Sequence, residues 1–170
     1  MRFSALSIAG TVLLACAPRT ETPEHVAARI RAESDSARAT FETIFADIGR
    51  EFSAGQADSL VARYADDAHV LPPNSRPVHG RDAVRQMYTA AFQNGPVGAL
   101  QFRVENVTVN GPVAVVRTAW VFTPPAGTPI PVDTGAAIDH LERVDGRWLI
   151  MEETWRSDLP LPPPPPRRKS

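Results

Sequence analysis

Apolar residues recur at three- and four-residue intervals from Pro23 onward. Ile30, Ala37, Phe41, Ile44, Phe45, Ile48 and Phe52 fall on one face, with Glu, Asp and Arg opposite, which predicts a long amphipathic helix. It should stop near Gly55. Asp58 then caps a short second helix, Ser59 to Tyr64, that presents Leu60, Val61 and Tyr64. His69-Val70-Leu71 reads as a brief strand, ended by Pro72 and Pro73, which cannot donate to a ladder. Beyond the Val78–Asp82 stretch, Val84, Met87, Tyr88, Ala91 and Phe92 form the inward face of a third helix, broken at Asn94-Gly95-Pro96.

The period then changes from 3.6 to two. Leu100 to Val109 alternates loosely, Asn110-Gly111 turns, and Val113 to Phe122 returns. On that strand Ala114, Val116, Thr118, Trp120 and Phe122 form the side to be buried, with Val113, Val115, Arg117, Ala119 and Val121 opposite. The proline-rich loop Thr123 to Pro131 leads to a final hairpin around Asp145-Gly146. Alternate residues there give Trp148, Ile150, Glu152 and Thr154 against Leu149, Met151, Glu153 and Trp155. Neither set is cleanly apolar. A strand that lines a pocket, or one whose second face is half wet, suits such a pattern. Helices followed by strands joined by short turns predict an α+β fold, with an antiparallel sheet and helices gathered on one face.

The chain has 170 residues and a formal net charge of -1, a single-domain size with no basic excess, so nucleic acid is not an expected partner. Residues 1–15 carry Arg2 and an apolar run too short to span a bilayer, the pattern of a signal peptide. Leu13-Leu14-Ala15-Cys16 resembles a bacterial lipobox, in which the peptide is cut before the cysteine and the thiol is lipidated. This reading gives the sole cysteine, Cys16, a role outside any disulfide framework. Ala17, where an aspartate would retain the protein in the inner membrane, points to an outer-membrane lipoprotein facing the periplasm. An ordinary signal peptide and a soluble periplasmic or secreted protein is the alternative. Residues 16–24 read as a tether, 25–158 as the folded domain, and 159–170 as a tail with five consecutive prolines and a basic tip.

Two blocks carry a resemblance. Tyr64-Ala65-Asp66-Asp67-Ala68-His69-Val70-Leu71-Pro72-Pro73 with Val78-His79-Gly80-Arg81-Asp82-Ala83-Val84 is similar to the centre of SnoaL-like domains, of the nuclear-transport-factor-2-like superfamily. Val144–Trp148 and Thr154–Asp158 point to a domain-of-unknown-function branch found in secreted bacterial proteins. The resemblance implies a cone-shaped curved antiparallel sheet wrapped by three helices (a cystatin-like roll), with a pocket open at one end. It also implies a homodimer through the outer face of the sheet. Members include ketosteroid isomerase, scytalone dehydratase and polyketide cyclases, so fold alone names no chemistry. At the position of the isomerase's general base this chain has Pro72, and near its oxyanion-hole tyrosine it has Ile48. Neither side chain can accept or donate a proton. The isomerase's second, protonated aspartate falls near Asp139.

Asp139, His140 and Glu152 are therefore the candidate catalytic residues. Asp139 and His140 are neighbours on one strand and point to opposite faces, so they cannot pair within it. His140 can reach Glu152 or Glu153 across the hairpin, depending on register. Tyr64, Tyr88, Trp120, Trp148 and Trp155 are candidate aromatic walls of a ligand site, and equally candidate core. Arg76, in the turn before Pro77, is the candidate contact for an anionic ligand. No ligand spacing suggests a metal site, and no cofactor is implied. Two functions stay open: a module binding a small apolar or amphipathic molecule or a partner protein, and a cofactor-free lyase, isomerase or hydrolase.

Overall fold

The computed structural model describes residues 21–95 and 97–160. The expected signal peptide, lipidation at Cys16 and most of the proline-rich tail lie outside the described residues. Helix α1 (Pro23–Ser53) starts where Thr22 accepts a hydrogen bond from the His25 N–H, with Pro23 at the first helical position. The chain turns at Gly55, whose positive φ suits the residue after a helix end. Then follow α2 (Ala57–Val61), β1 (Tyr64–Leu71), β2 (Val78–His79), α3 (Arg81–Asn94), β3 (Ala99–Asn110), β4 (Val113–Thr123), β5 (Asp133–Val144) and β6 (Arg147–Ser157). Among the described residues no helix is long and apolar enough to cross a membrane.

The six strands form one curved, unclosed sheet in the order β2-β1-β6-β5-β4-β3. Every pairing is antiparallel except β1 with β6. The second helix is shorter than the sequence pattern predicts, and Tyr64 belongs to a strand. The backbone of this stretch is claimed by β6: the Ile150 N–H donates to the Arg63 carbonyl, and Tyr64 stands opposite Ile150. The Arg63 guanidinium meanwhile binds the Glu51 carboxylate through two nitrogens and reaches Asp47, tying the link to α1. Helical propensity over five residues is too weak to resist that ladder.

Two bulges bend the sheet. On β3 the register shifts between Val104 and Asn106, and on β6 between Ile150 and Glu152. An extra residue in one strand kinks it and switches which alternate residues face inward. Leu100, Phe102 and Val104 line the inner side of β3 before its bulge, and Val107 and Val109 after it. That switch explains the loose alternation in the sequence. Phe41, Phe45 and Ile48 of α1 pack onto this inner face together with Val116 and Leu141.

Helix α1 also covers the free edge of β3. The Ser34 hydroxyl accepts from the Val109 N–H and donates to the Ile30 carbonyl. The Ser53 hydroxyl does the same for the Leu100 N–H and the Gly49 carbonyl. Arg38 donates to the carbonyls of Val104 and Glu105, at the bulge. An uncovered edge would present unpaired backbone groups for intermolecular pairing. Gly49 permits the close approach, since a Cβ there would lie 2.6 Å from the Leu100 carbonyl oxygen.

Candidate functional site

Between α1, α3 and the inner face of the sheet lies a cavity of about 360 Å³. Its wall is Ile48 and Phe52 from α1, Met87, Tyr88 and Ala91 from α3, Leu100 and Phe102 from β3, and Trp120 and Phe122 from β4. Asp133 and Ala137 from β5, with Glu153 and Trp155 from β6, complete it. A larger depression runs along α1 and β3 past Arg50 and Ala99. It carries no titratable cluster, and we place the site in the cavity between the helices and the sheet.

Glu153 is the polar centre of the cavity. Its Oε2 accepts a short hydrogen bond from the Tyr64 hydroxyl, which lies 2.8 Å from the Tyr88 hydroxyl. With the Tyr64 proton committed to Glu153, Tyr88 donates to Tyr64. The Tyr64 backbone is held by Arg81, whose Nε donates to its carbonyl oxygen at 2.9 Å. Asp139 stands directly across the β5–β6 ladder from Glu153, 2 % exposed, and its Oδ2 has no hydrogen-bond partner among the described residues. Burial raises the Glu153 carboxyl to about 7, against the opposing effect of the Tyr64 hydrogen bond. Burial and then the Glu153 charge push Asp139 well above the usual carboxylate range. Two facing carboxyls in a poorly solvated site resist ionising together. Burial and the Glu153 charge also raise both tyrosine phenols, so they remain neutral donors.

The bulge on β6 decides which glutamate faces the cavity. From the Asp145-Gly146 turn, both residues at positive φ, the ladder runs Val144↔Arg147, Arg143↔Trp148, Glu142↔Leu149, Leu141↔Ile150. Unbroken, it would next set Asp139 opposite Glu152. The extra residue, Met151, moves Glu152 to a place opposite His140 and brings Glu153 opposite Asp139. Trp148 and Ile150 before the bulge thus share a face with Glu153 and Trp155 after it.

The three candidate catalytic residues are accordingly not brought together. Asp139 is on the inner face; His140 and Glu152 are on the outer one. There His140 Nδ1 lies 3.8 Å from Glu152 Oε2 and its Nε2 lies 3.6 Å from Glu142 Oε1. Glu152 continues a row through His69, whose ring meets His79 edge-on at 4.5 Å. The sheet separates this row from the cavity. Of the aromatic candidates, Tyr88, Trp120 and Trp155 line the cavity, and Tyr64 reaches it through its hydroxyl. Trp148 packs on Phe41 with centroids 5.2 Å apart and Arg143 over its ring, away from the cavity. Arg76 is exposed in the β1–β2 turn and lines no part of the cavity. Sequence reasoning missed Phe52, Phe102 and Phe122 as wall residues, and weighed Glu153 only as a partner for His140. Helical spacing and strand parity already put those three rings on inner faces. Among the described residues no group of three or more His, Cys, Asp or Glu is placed to hold a metal ion.

The SnoaL-like domain model matches residues 45–151. The chain belongs to the SnoaL-like domain family. No curated protein matches its sequence. Among solved structures, this SnoaL-like domain is similar to a domain of unknown function with a cystatin-like fold from Nostoc punctiforme. The two share 15 % identity and a TM-score of 0.64, over 74 % of this chain and 80 % of that one. An NTF2-like protein with a cystatin-like fold from Novosphingobium aromaticivorans gives 20 % identity and a TM-score of 0.59, over 79 % and 89 %. A ketosteroid isomerase-like protein from Erwinia carotovora atroseptica gives 18 % and 0.59, over 82 % and 100 %. At such identities the likeness establishes the cystatin-like fold of this SnoaL-like domain and no particular chemistry.

Proposed function

We propose that the domain binds a small apolar or amphipathic molecule in the cavity beneath the sheet, with Glu153 as its polar contact. The observation that carries this reading is a largely apolar chamber of about 360 Å³ with two hydrogen-bonded carboxyls, Glu153 and Asp133, on its wall. Apolar concavities with few, placed polar groups are the usual form of small-molecule sites. Native mass spectrometry of the purified protein tests it, together with titration of Trp120 and Trp155 fluorescence by hydrophobic probes. A cavity that takes up no apolar molecule of fitting size refutes the reading.

A second reading, a cofactor-free lyase, isomerase or hydrolase, has one specific support. A carboxyl titrating at about 7 beside a ligand chamber is matched to proton transfer at neutral pH. In this reading Glu153 takes the acid–base role, Asp139 faces it, and Tyr64, in turn hydrogen-bonded by Tyr88, holds the Glu153 carboxyl in place. Deuterium wash-in from heavy water at the γ- and α′-carbons of a simple cyclic enone checks it, with the Glu153→Gln variant inactive. We also propose a homodimer through the outer face, where Val113, Val115 and Val121 of β4 and Ile138 of β5 are exposed, interspersed with Arg117 and His140. Sedimentation should show a dimer that Ile138→Lys dissociates. Lipidation of Cys16 in the cell envelope is supported by Leu13-Leu14-Ala15-Cys16, and mass analysis of the mature N-terminus tests it.

A further inference from the structure

The wall of the cavity has a consistent electrostatic sign. Six rings surround it, Phe52, Tyr88, Phe102, Trp120, Phe122 and Trp155, and its ionisable carboxyls are Glu153 and Asp133. Among the described residues no Lys, Arg or His lines it. Asp139 stands beside Glu153 on the same inner face, almost fully buried, with one carboxyl oxygen unpartnered. The faces of aromatic rings carry partial negative charge and attract cations. The rings are set at differing angles: Phe52 meets Tyr88 at 80° and Phe122 at 88°. The rings around the chamber therefore lie in differing planes.

We propose that this cavity selects a hydrophobic organic cation, an ammonium group on an apolar frame, held by the Glu153 carboxylate and the surrounding ring faces. The inference rests on the cavity being a ligand site. A carboxylate ligand would meet Glu153 and Asp133 with no cation to receive it, and a buried like-charge contact is costly. A neutral ligand gains only from leaving water. An ammonium supplies the counter-charge that lets Glu153 ionise without being stranded, and its alkyl groups fill the apolar space. The groups that face Glu153 and govern its charge are Asp139 from β5, Tyr64 from β1 and Tyr88 from α3, with Asp133 further along the β5 wall. None is a competing cation.

The test compares three ligands of similar shape: benzyltrimethylammonium, its uncharged carbon isostere neopentylbenzene, and phenylacetate. Each is titrated into the full chain while tryptophan fluorescence is followed. At about pH 8 the cation should bind at least about tenfold tighter than the hydrocarbon, with phenylacetate the weakest. Lowering the pH to about 5.5 protonates Glu153 and should shrink the cation's advantage while leaving the hydrocarbon unchanged. Glu153→Gln should cut the advantage at about pH 8 to what the rings and Asp133 supply, again with hydrocarbon affinity retained. Equal binding of cation and hydrocarbon at about pH 8, tighter binding of phenylacetate, or an advantage unchanged by both acid and Glu153→Gln overturns the inference. Uptake of the hydrocarbon without preference for the cation overturns the inference alone. Failure of all three to bind overturns the cavity as a ligand site, and the inference with it.

Discussion

Glu153→Gln should stabilise the folded protein at alkaline pH, against the usual effect of altering a hydrogen-bonded, half-buried residue. The folded Glu153 keeps its proton up to about pH 7, whereas its ordinary value is 4.5. Between those limits the folded state binds more protons than the unfolded one, so raising the pH through that window removes stability. A tenfold change in proton affinity is worth about 1.4 kcal/mol. The loss attributable to this carboxyl is thus roughly 3 kcal/mol, complete once the pH exceeds about 7. Glutamine keeps the shape and an oxygen that accepts from Tyr64, but has no proton to release. Urea denaturation at several pH values from about 5.5 to 8 measures the difference. The wild-type midpoint should fall steeply across that range and the variant's much less, with a gap of about 1–3 M urea at the upper end. Asp139, also raised by burial, leaves the variant a residual slope. Identical pH slopes for the two proteins would refute the buried carboxyl pair.

The Tyr64 hydrogen bond holds the Glu153 carboxyl down, so Tyr64→Phe should move the pH of stability loss above about 7, measured by the same denaturation series or by carbon-13 NMR of the Glu153 carboxyl. Gly49→Ala in mid-helix would ordinarily stabilise by about 0.5–1 kcal/mol. Here the added Cβ, 2.6 Å from the Leu100 carbonyl oxygen, should instead cost about 1–3 kcal/mol, read from the shift in urea midpoint. Replacing His140 and Glu152 together by alanine should leave cavity ligand titrations unchanged and alter stability by no more than about 0.5 kcal/mol, since both side chains lie across the sheet from the cavity.

Local pattern was enough for the class and order of the elements. The 3.6-residue spacing of Phe41, Phe45 and Ile48, the alternation of Ala114 through Phe122, and the Asp-Gly turn before Arg147 each follow from neighbours in the chain, because helix faces and strand faces are set by backbone geometry. The aromatic side of β4 was legible for the same reason, whereas Asp139 was singled out only through the resemblance, near the isomerase's second aspartate. Longer-range pairing overruled local signal at Tyr64, where β6 recruits the backbone into the sheet. The identity of the site was not legible. A period-two reading that assumes an unbroken strand sets Glu152 opposite Asp139, and one inserted residue replaces it with Glu153. A bulge leaves little trace in composition, because it arises where two strands must bend together around α1 and the cavity. The awkward mixture of polar and apolar residues in both alternate sets of β6 was its only mark. The pairing of the raised carboxyls and the tyrosine relay depend on that one-residue shift, and with the aromatic box they require side chains from seven elements to meet.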